Sequence, residues 1–491
     1  MSTKNSISRR NFLATSGAAL AGSAIISPLS EAHAAVAPAL SSSKKEKLVT
    51  VGTGSRGCGM WGRTLLERYP DKVEFVGLHD NNPGRVETGK KLIGATCKTW
   101  SDFKNPMAEF DKMMKETKPD TVLVMSTDST HDEYIVRGME LGANIITEKP
   151  MTTDEKKIQR IIDAEKKTGK KVRVTFNYRY SPHRAKMYEL IRAGEIGELT
   201  SVDFNWYLDT RHGADYFRRW HRLMDKGGSL WVHKASHHFD LLNWWIDSDP
   251  EVVFGAGSLD HYGKNGKFRA ENCRKCPHTK ECIFYWDIGA ARMTDFQAEA
   301  SGASAPSENR NQQLYVNNEH HDGYLRDGCV FKNDIDTFDK HAATIKYMNG
   351  VQATYSLTAY SPYEGYRIAF NGTKGRIDAW IEESNPIIDK GYDEIILFKN
   401  FSGNQRNARR RYIQVPRGGG GHGGGDNLLL DQTFIPGTPD PLKQFAGVRD
   451  GSLSCLVGIA ARHSIVSGEP VKIASLTTIK PQAQKIHEKL I

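Results

Sequence analysis

KLVTVGTGSRGCGMWGRTLLERYPDKVEFVGLHD, residues 47–80, decides the fold of this chain. A short β-prone run ends at a glycine-rich turn, a helix-prone stretch follows, and a second apolar run ends at Asp80. This order of strand, glycine turn, helix, strand and acid is typical of a dinucleotide-binding βαβ unit. We therefore predict a nucleotide-binding domain of the Rossmann type that begins near residue 47.

The glycines of this turn have separate mechanical roles. Gly52 permits the tight turn, Gly54 lets the backbone approach a pyrophosphate, and Gly57 lets helix and strand pack closely. The helix then begins at Ser55 and Arg56, where free N–H groups and the positive end of the helix dipole favour phosphate. A glycine-rich turn without a ligand is the alternative, and the complete βαβ context argues against it.

Asp80 indicates which dinucleotide is preferred. It lies 23 residues after Gly57, where a carboxylate accepts hydrogen bonds from ribose hydroxyls. A carboxylate at this point would repel the 2′-phosphate of NADP, so NAD is the predicted cofactor. Arg85 lies close enough in the sequence to keep NADP as the less favoured alternative.

The first 34 residues have the pattern of a twin-arginine export signal. Arg9 and Arg10 precede a weakly apolar run at residues 14–26 and a small-x-small cleavage site at residues 32–34. This pattern predicts a periplasmic or otherwise exported protein, which acquires its nucleotide in the cytoplasm before export. An amphipathic first helix is the alternative.

The amino-acid composition limits the number of domains and the class of protein. A chain of 491 residues with 38% hydrophobic content has room for two domains with large cores. The net charge of +9 is mild for this length, and nothing in the sequence resembles a nucleic-acid-binding module. No transmembrane segment is predicted, because no run outside the export signal approaches the ~20 apolar residues that a spanning helix needs.

Two further motifs follow strands of the predicted first domain. A strand at residues 121–125 leads into a loop that contains Thr127 and His131, at the strand end where ligands bind in such sheets. A strand at residues 144–147 leads into Glu148-Lys149-Pro150. A lysine beside the nicotinamide would stabilise developing negative charge on a substrate oxygen. A Lys-Pro pair by itself is usually a surface turn.

These motifs, together with NYRYSP at residues 177–182, resemble those of the Gfo/Idh/MocA oxidoreductases over residues 47–480. The resemblance implies an α/β chain. A Rossmann domain with a doubly wound parallel sheet (47–176) precedes a C-terminal α/β domain with a large open mixed or antiparallel sheet (177–480). Residues 35–46 and 481–491 are then a linker and a C-terminal tail. The resemblance also implies carbohydrate substrates and a homodimer or homotetramer formed through the sheet. The predicted cofactor-binding residues are Gly52, Gly54, Ser55, Arg56, Gly57, Asp80, Thr127, His131, Glu148 and Lys149.

GGSLWVHKASHHFDLLNWW, residues 227–245, supplies the predicted catalytic partner of Lys149. If this segment is one helix, His233, His237 and Asp240 line one face. The resemblance assigns His237 as the acid–base residue. His233 stands where the family has an acid, and we expect it to contact substrate, with Asp240 orienting its neighbours. A zinc-like His/His/Asp site is the alternative.

Arg179 and His422 complete the predicted substrate-binding set with His233 and Asp240. His422 lies in a glycine-rich run at residues 418–425, which is either a low-complexity linker or an active-site loop. We predict an active-site loop, because His-Gly-Gly-Gly-Asp at this point resembles the sugar-acting members of the family.

A cysteine-rich insertion is predicted at residues 260–330. Cys273 and Cys276 form a Cys-x-x-Cys pair, and Cys282 and Cys329 add two more thiols. This pattern suggests a structural tetrathiolate zinc site. Two disulfides are the alternative, since an exported protein meets an oxidising environment.

The sequence thus predicts an NAD-dependent oxidoreductase, with Lys149 and His237 as its catalytic residues. A hydride would pass between a carbinol carbon of a sugar, glycoside or inositol and a tightly held nicotinamide, with an unknown electron acceptor. One alternative is a redox-assisted glycosidase, in which oxidation, elimination and reduction give no net redox change. The other is a sugar-binding protein without catalysis.

Overall fold

The computed structural model describes residues 44–290, 309–384, 389–401 and 409–488. The predicted export signal and residues 35–43 of the linker lie outside the described residues. Within these ranges, no helix combines the length and apolar character that a membrane crossing requires.

The first sheet has six parallel strands in the order β3-β2-β1-β4-β5-β6. Its strands are β1 (Glu46–Val51), β2 (Val73–His79), β3 (Lys98–Trp100), β4 (Thr121–Val124), β5 (Asn144–Thr147) and β6 (Val172–Val174). Its helices are α1 (Ser55–Cys58), α2 (Leu65–Arg68), α3 (Pro83–Ile93), α4 (Pro106–Thr117), α5 (His131–Glu140) and α6 (Glu155–Thr168), with a π-helical turn (Gly59–Thr64) between α1 and α2. The strand order reverses between β1 and β4, so the loops after these strands face one crevice. The predicted doubly wound Rossmann domain is confirmed.

The second sheet has nine strands in the order β14-β13-β12-β11-β7-β10-β9-β8-β15. Its strands are β7 (Leu199–Asp209), β8 (Pro250–Ser258), β9 (Lys340–Tyr347), β10 (Gln352–Ser361), β11 (Glu364–Gly372), β12 (Gly375–Ser384), β13 (Tyr392–Lys399), β14 (Arg409–Pro416) and β15 (Val471–Lys472). Only β7 and β10 pair in parallel, and the other neighbours in this described sheet are antiparallel. The predicted large mixed sheet is therefore confirmed.

Helices cover one face of the second sheet. The helices of this part of the chain are α7 (Pro182–Arg192), α8 (Thr210–Arg218), α9 (Met224–Gly227), α10 (Leu230–His233), α11 (Ala235–Ile246), α12 (Arg310–Leu314), α13 (Glu319–Asp322), α14 (Gly425–Phe434) and α15 (Val448–Ser467). Short 3-10 turns lie at Asp128–Thr130, Asn177–Tyr180, Trp220–Arg222, Gly263–Asn265, Val316–Asn318 and Ile473–Ser475. In β10, buried Ala353, Tyr355 and Leu357 alternate with more exposed polar residues, so the other face remains open.

The predicted helix at residues 227–245 is two helices. Ser229 has a positive φ of 69°, which delays the start of α10, and α10 ends at His233 before α11 begins at Ala235. Lys234 joins the two, and its side chain is buried. His233 therefore ends α10 while His237 and Asp240 lie in α11, and the αR dihedral angles of Lys234 keep the two helices in close succession.

A buried ion cluster joins α11 to α15. The Arg179 guanidinium donates to both carboxylate oxygens of Asp240, with the Nε contact at 2.8 Å, and to Asp450 at 3.0 Å. The side chains of Arg179 and Asp240 are 0% and 1% exposed, and Lys485 lies 2.5 Å from Asp450. We therefore correct the prediction that Arg179 and Asp240 bind substrate, because protein partners occupy both side chains. Lys485 also brings the predicted C-terminal tail onto this domain.

This cluster predicts a large effect of substitution at Arg179 on stability. Arg179→Gln would leave Asp240 and Asp450 as adjacent buried carboxylates, so unfolding should become easier by about 3–5 kcal/mol. Arg63→Gln is the matched control, since Arg63 pairs with Glu67 on the surface and both side chains are 59% exposed. It should change stability by less than about 0.5 kcal/mol. Urea denaturation followed by tryptophan fluorescence measures both, and equal effects would contradict this assignment.

Candidate active site

The glycine turn between β1 and α1 has the shape that a dinucleotide needs. Gly52 has φ of +92°, and a Cβ there would lie 2.5 Å from the Met125 carbonyl oxygen. A Cβ on Gly57 would overlap the Gly52 carbonyl oxygen, so glycine is also required at this close approach of helix and strand. The Ser55 N–H donates to the Tyr315 hydroxyl at 3.0 Å, and the N–H groups that follow it have no partner within the first turn of the helix. The turn therefore fits a pyrophosphate.

Asp80 lies at the end of β2 beside this turn. Its carboxylate accepts hydrogen bonds from the Thr53 N–H at 2.8 Å and the Asn82 N–H at 2.9 Å. Arg85 lies 3.4 Å from Asp80 and 2.7 Å from Asp322, so two carboxylates neutralise its guanidinium. These contacts hold Asp80 at the place where the fold positions the adenosine ribose.

Arg56 uses its side chain within the protein. Its Nε donates to Glu148 at 2.6 Å, and its terminal nitrogens donate to Asp426 at 2.9 and 3.1 Å. Glu148 also accepts from the Trp61 indole N–H at 2.8 Å. Arg56 and Glu148, both predicted to bind cofactor, thus form an ion pair that positions the surrounding loops, and only the Arg56 backbone N–H remains suited to phosphate.

The loop after β4 contains the other two predicted cofactor residues. Thr127 precedes the 3-10 turn Asp128–Thr130 at the crevice. The His131 ring is 1% exposed and lies 2.9 Å from the Pro150 carbonyl and 3.0 Å from the Ser126 carbonyl. A neutral imidazole has one N–H, so it donates to one of these oxygens. His131 therefore joins two loops, and its side chain is not directed at a cofactor.

Lys149 lies directly after β5, at the same edge of the sheet. The Lys149–Pro150 peptide is cis, and the ammonium donates to the His233 carbonyl oxygen at 3.0 Å. Burial lowers the pKa of Lys149 to about 8, against the opposing effect of Asp128 and Glu148. The catalytic lysine predicted from the Rossmann domain is thus in contact with the segment that carries the predicted catalytic histidine.

His237 is buried beside this lysine. Its ring stacks on Tyr178, with 4.0 Å between ring centroids and 12° between the planes. Burial lowers the pKa of His237 well below its usual value, and Lys149 and Lys234 lower it further. Nδ1 of His237 has no hydrogen-bond partner among the described residues. The imidazole is therefore neutral near pH 7, as a general base must be.

His233 is paired with a carboxylate that the sequence analysis did not select. Its Nδ1 lies 2.6 Å from Asp128 Oδ2, which belongs to the loop after β4. Burial raises the pKa of Asp128 and lowers the pKa of His233, so the ionised form of each is disfavoured by desolvation. Asp128 lies within the Ser-Thr-Asp loop at a strand end, and this position was the available sequence signal.

His422 approaches the same site from the glycine-rich run. It has a positive φ of 54°, and its Nδ1 lies 3.1 Å from Asp426. Its ring centroid is 5.6 Å from that of Tyr178 and 6.3 Å from that of His237. The structure therefore brings the predicted active-site loop to His237.

Lys234 and Tyr178 are further residues that the sequence analysis missed. The Lys234 ammonium donates to the Tyr178 hydroxyl at 3.0 Å, and both side chains are buried. The Tyr178 ring is the one that stacks on His237. A lysine inside an otherwise apolar helical segment was the only sequence indication. Its charge adds to that of Lys149 in keeping His237 unprotonated.

The four cysteines that were predicted to bind zinc lie close together. Cys273, Cys276, Cys282 and Cys329 line one small cavity, but all four are free thiols. In the part of the chain that the structure describes, no group of His, Cys, Asp and Glu has an arrangement that would hold a metal ion. The Arg218 guanidinium instead donates to Cys273 Sγ at 3.1 Å. The same result removes the alternative of a metal at His233, His237 and Asp240.

Two family models match this chain. Residues 47–176 match the "Oxidoreductase family, NAD-binding Rossmann fold", and residues 188–473 match the "Oxidoreductase family, C-terminal alpha/beta domain" of Gfo/Idh/MocA proteins. Together these models cover both sheets and the crevice between them.

Individual proteins agree with these matches. "Putative oxidoreductase YteT" of Bacillus subtilis (strain 168) is 37% identical over 446 residues, which are 88% of this chain and 98% of that protein. "Inositol 2-dehydrogenase/D-chiro-inositol 3-dehydrogenase" of Lactiplantibacillus plantarum is 25% identical over 200 residues, 40% of this chain and 52% of the relative.

Solved structures share the fold at lower identity. "Levoglucosan dehydrogenase, complex with NADH and levoglucosan" has a TM-score of 0.58 and 17% identity, and covers 88% of this chain and 100% of its own. An oxidoreductase domain protein from Kribbella flavida has a TM-score of 0.60 and 16% identity over 87% of this chain and 99% of its own. With the family models and the relative from B. subtilis, these findings show that the chain is an oxidoreductase of the Gfo/Idh/MocA family.

Proposed function

We propose that this protein exchanges a hydride between NAD and a carbinol carbon of a sugar, glycoside or inositol. The observation that carries the proposal is the meeting of Lys149 and His237 at the nicotinamide end of the crevice, where Lys149 is bonded to the His233 carbonyl. The printed names of the relatives, an inositol dehydrogenase and a levoglucosan dehydrogenase, support a carbohydrate as substrate.

Protonation states assign a role to each residue. Bound nicotinamide would supply the hydride acceptor. His237, neutral because it is buried, takes the proton of the substrate hydroxyl, and the Lys149 ammonium stabilises the oxygen as negative charge develops on it. The residues that contact neighbouring hydroxyls are His233 and His422, each oriented by a carboxylate.

NAD is the preferred dinucleotide in this proposal. Asp80 would accept hydrogen bonds from the ribose hydroxyls and repel a 2′-phosphate. The nearby cation Arg85 does not offset this repulsion, because Asp80 and Asp322 already neutralise it.

Redox-assisted glycoside cleavage is the second candidate. Oxidation next to a glycosidic bond acidifies a ring proton, and loss of that proton then requires a second base, while the leaving group requires an acid. The pair His422 with Asp426 lies beside His237, and the pair His233 with Asp128 lies on the side of Lys149. These two His–carboxylate pairs would meet this need. A simple dehydrogenase requires only one proton acceptor.

The test is an anaerobic reaction of purified protein with a panel of sugars, inositols and glycosides, without added NAD. One equivalent of reduced nicotinamide together with a keto-sugar would support the dehydrogenase. Continued release of free sugar without lasting reduction would support the glycosidase. Lys149→Ala is the control, because it should abolish both reactions. If the wild type binds sugar without any reaction, or the variant keeps full activity, the proposed chemistry is wrong.

The pKa of Lys149 predicts the pH dependence of sugar oxidation. Because this pKa is lowered to about 8, the ammonium is present below pH 8 and is lost above it. The value of kcat/KM should therefore fall about tenfold per unit above that pH. Lys149→Arg should lower kcat/KM at neutral pH yet move this fall above pH 10, since a guanidinium stays protonated. An unmoved alkaline limb in this variant would contradict the role of Lys149.

Asp80 predicts the effect of substitution on cofactor preference. Asp80→Ser removes the carboxylate that would repel a 2′-phosphate and releases one partner of Arg85. The ratio of NADP to NAD affinity should rise about 10- to 100-fold, the range for gaining one hydrogen bond to a charged group. Nucleotide titration of the protein after removal of bound cofactor measures this ratio, and an unchanged ratio would contradict the role of Asp80.

We further propose export through the twin-arginine pathway, which the pattern at residues 9–34 supports. Cell fractionation tests it: the double variant Arg9→Lys and Arg10→Lys should stay in the cytoplasm, whereas wild type found there would contradict export.

We also propose a homodimer or homotetramer, supported by the open face of the second sheet, where Trp380 is 51% exposed. Light scattering of the wild type and of Trp380→Glu tests this assembly, and a monomeric wild type would contradict it.

A further inference from the structure

Part of the cysteine-rich insertion lies against the dinucleotide turn. Residues 310–322, which we call the wall segment, comprise α12, the 3-10 turn Val316–Asn318 and α13. Leu314 in this segment is fully buried in the cluster that contains Leu48 and Cys58 of the Rossmann domain. The insertion is therefore packed into the nucleotide-binding domain, although the sequence places it between strands of the second sheet.

Polar contacts join the wall segment to the glycine turn and to the loop after β2. The Ser55 N–H donates to the Tyr315 hydroxyl at 3.0 Å, at the start of α1. The Asn82 side chain donates to the Asn318 carbonyl at 2.9 Å, and Arg85 pairs with Asp322 at 2.7 Å. The first contact lies where the fold binds pyrophosphate, and the other two lie next to Asp80.

The Tyr315 hydroxyl is placed to serve a phosphate. A Cβ on Gly54 would lie 3.1 Å from this oxygen. Gly54, where the backbone can approach a cofactor, therefore faces Tyr315 directly. A phenol both accepts and donates. The hydroxyl also lies 3.2 Å from Ser55 Oγ, and either oxygen can donate. If it accepts from the Ser55 N–H and hydroxyl, it can still donate its own proton to an anion beside the turn.

Arg310 adds a positive charge one turn further along, beside the residue that follows α1. A Cβ built on Gly59 would lie 3.6 Å from its Nη1 atom, one turn into the first helix. A guanidinium at this position would attract an anion that is bound at the turn.

We propose that the wall segment is a second side of the dinucleotide site, in which Tyr315 and Arg310 bind the pyrophosphate and prevent the nucleotide from leaving between turnovers. This inference rests on the proposed function, and it adds residues from the C-terminal half of the chain to a site that the Rossmann domain would otherwise form alone. The buried Leu314 and the three polar contacts hold the segment in place, so release of the nucleotide requires local unfolding of this interface.

Nucleotide retention tests the proposal without reference to catalysis. Purified full-length wild type, Tyr315→Phe and Arg310→Gln are denatured, and the released NAD and NADH are quantified. Each protein is then loaded with NADH, and its dissociation is followed by fluorescence after addition of excess NAD. Tyr285→Phe is the matched control, because Tyr285 lies in the same insertion but is 41% exposed and makes no contact with the turn.

Tyr315→Phe should release NADH about 10- to 100-fold faster than wild type and Tyr285→Phe, the range for losing one hydrogen bond to a charged group. Arg310→Gln should also increase the rate of NADH release. If Tyr315→Phe does not fold, the Arg310→Gln variant decides the test. Unchanged or slower release in both variants would overturn the proposal, and tighter binding would show that Tyr315 obstructs the site. A wild type that binds neither NAD nor NADP would instead overturn the proposed function.

Discussion

The Arg56 guanidinium, held between Glu148 and Asp426, is the interaction on which the site depends. It joins the glycine turn, the strand end that carries Lys149, and the helix that follows His422. The two carboxylates raise the pKa of Arg56 above its already high value, so the link stays charged at every working pH. Without it, two buried carboxylates would face each other across the crevice, at a cost of several kcal/mol.

Desolvation, more than any single pair, sets the chemistry of the crevice. Burial lowers the pKa of His237, of His233 and of Lys149, because each charged form loses its hydration. The histidines remain neutral and able to accept protons, while the lysine stays cationic just below pH 8. An exposed lysine would instead be strongly hydrated and would polarise a substrate oxygen less.

The insertion shows how a segment outside the core fold becomes part of the site. Its cysteines are not bonded to each other, and the structure holds it by other means. Asp327 is fully buried and accepts from the Arg274 backbone at 3.1 Å and from its Nε at 3.0 Å. Leu314 and Tyr315 then pack against the glycine turn. Ion pairs and apolar burial therefore hold the insertion in this structure.

The sequence by itself determined the elements whose pattern is local. The glycine spacing before Asp80 and the lysine after β5 both follow from residues a few positions apart. Periods of 2.0 and 3.6 residues and the special conformations of glycine and proline are short-range properties, so they can be recognised without a tertiary model.

Tertiary structure alone decided which side chains face the crevice. His233 meets Asp128 across 105 positions, and Tyr315 reaches Ser55 across 260. Arg179 turns away from the crevice because Asp450, 271 positions later, neutralises it inside the core. Motif spacing does not encode such pairs, since the direction of each side chain depends on which distant segment is packed beside it and on whether a buried charge finds its partner there.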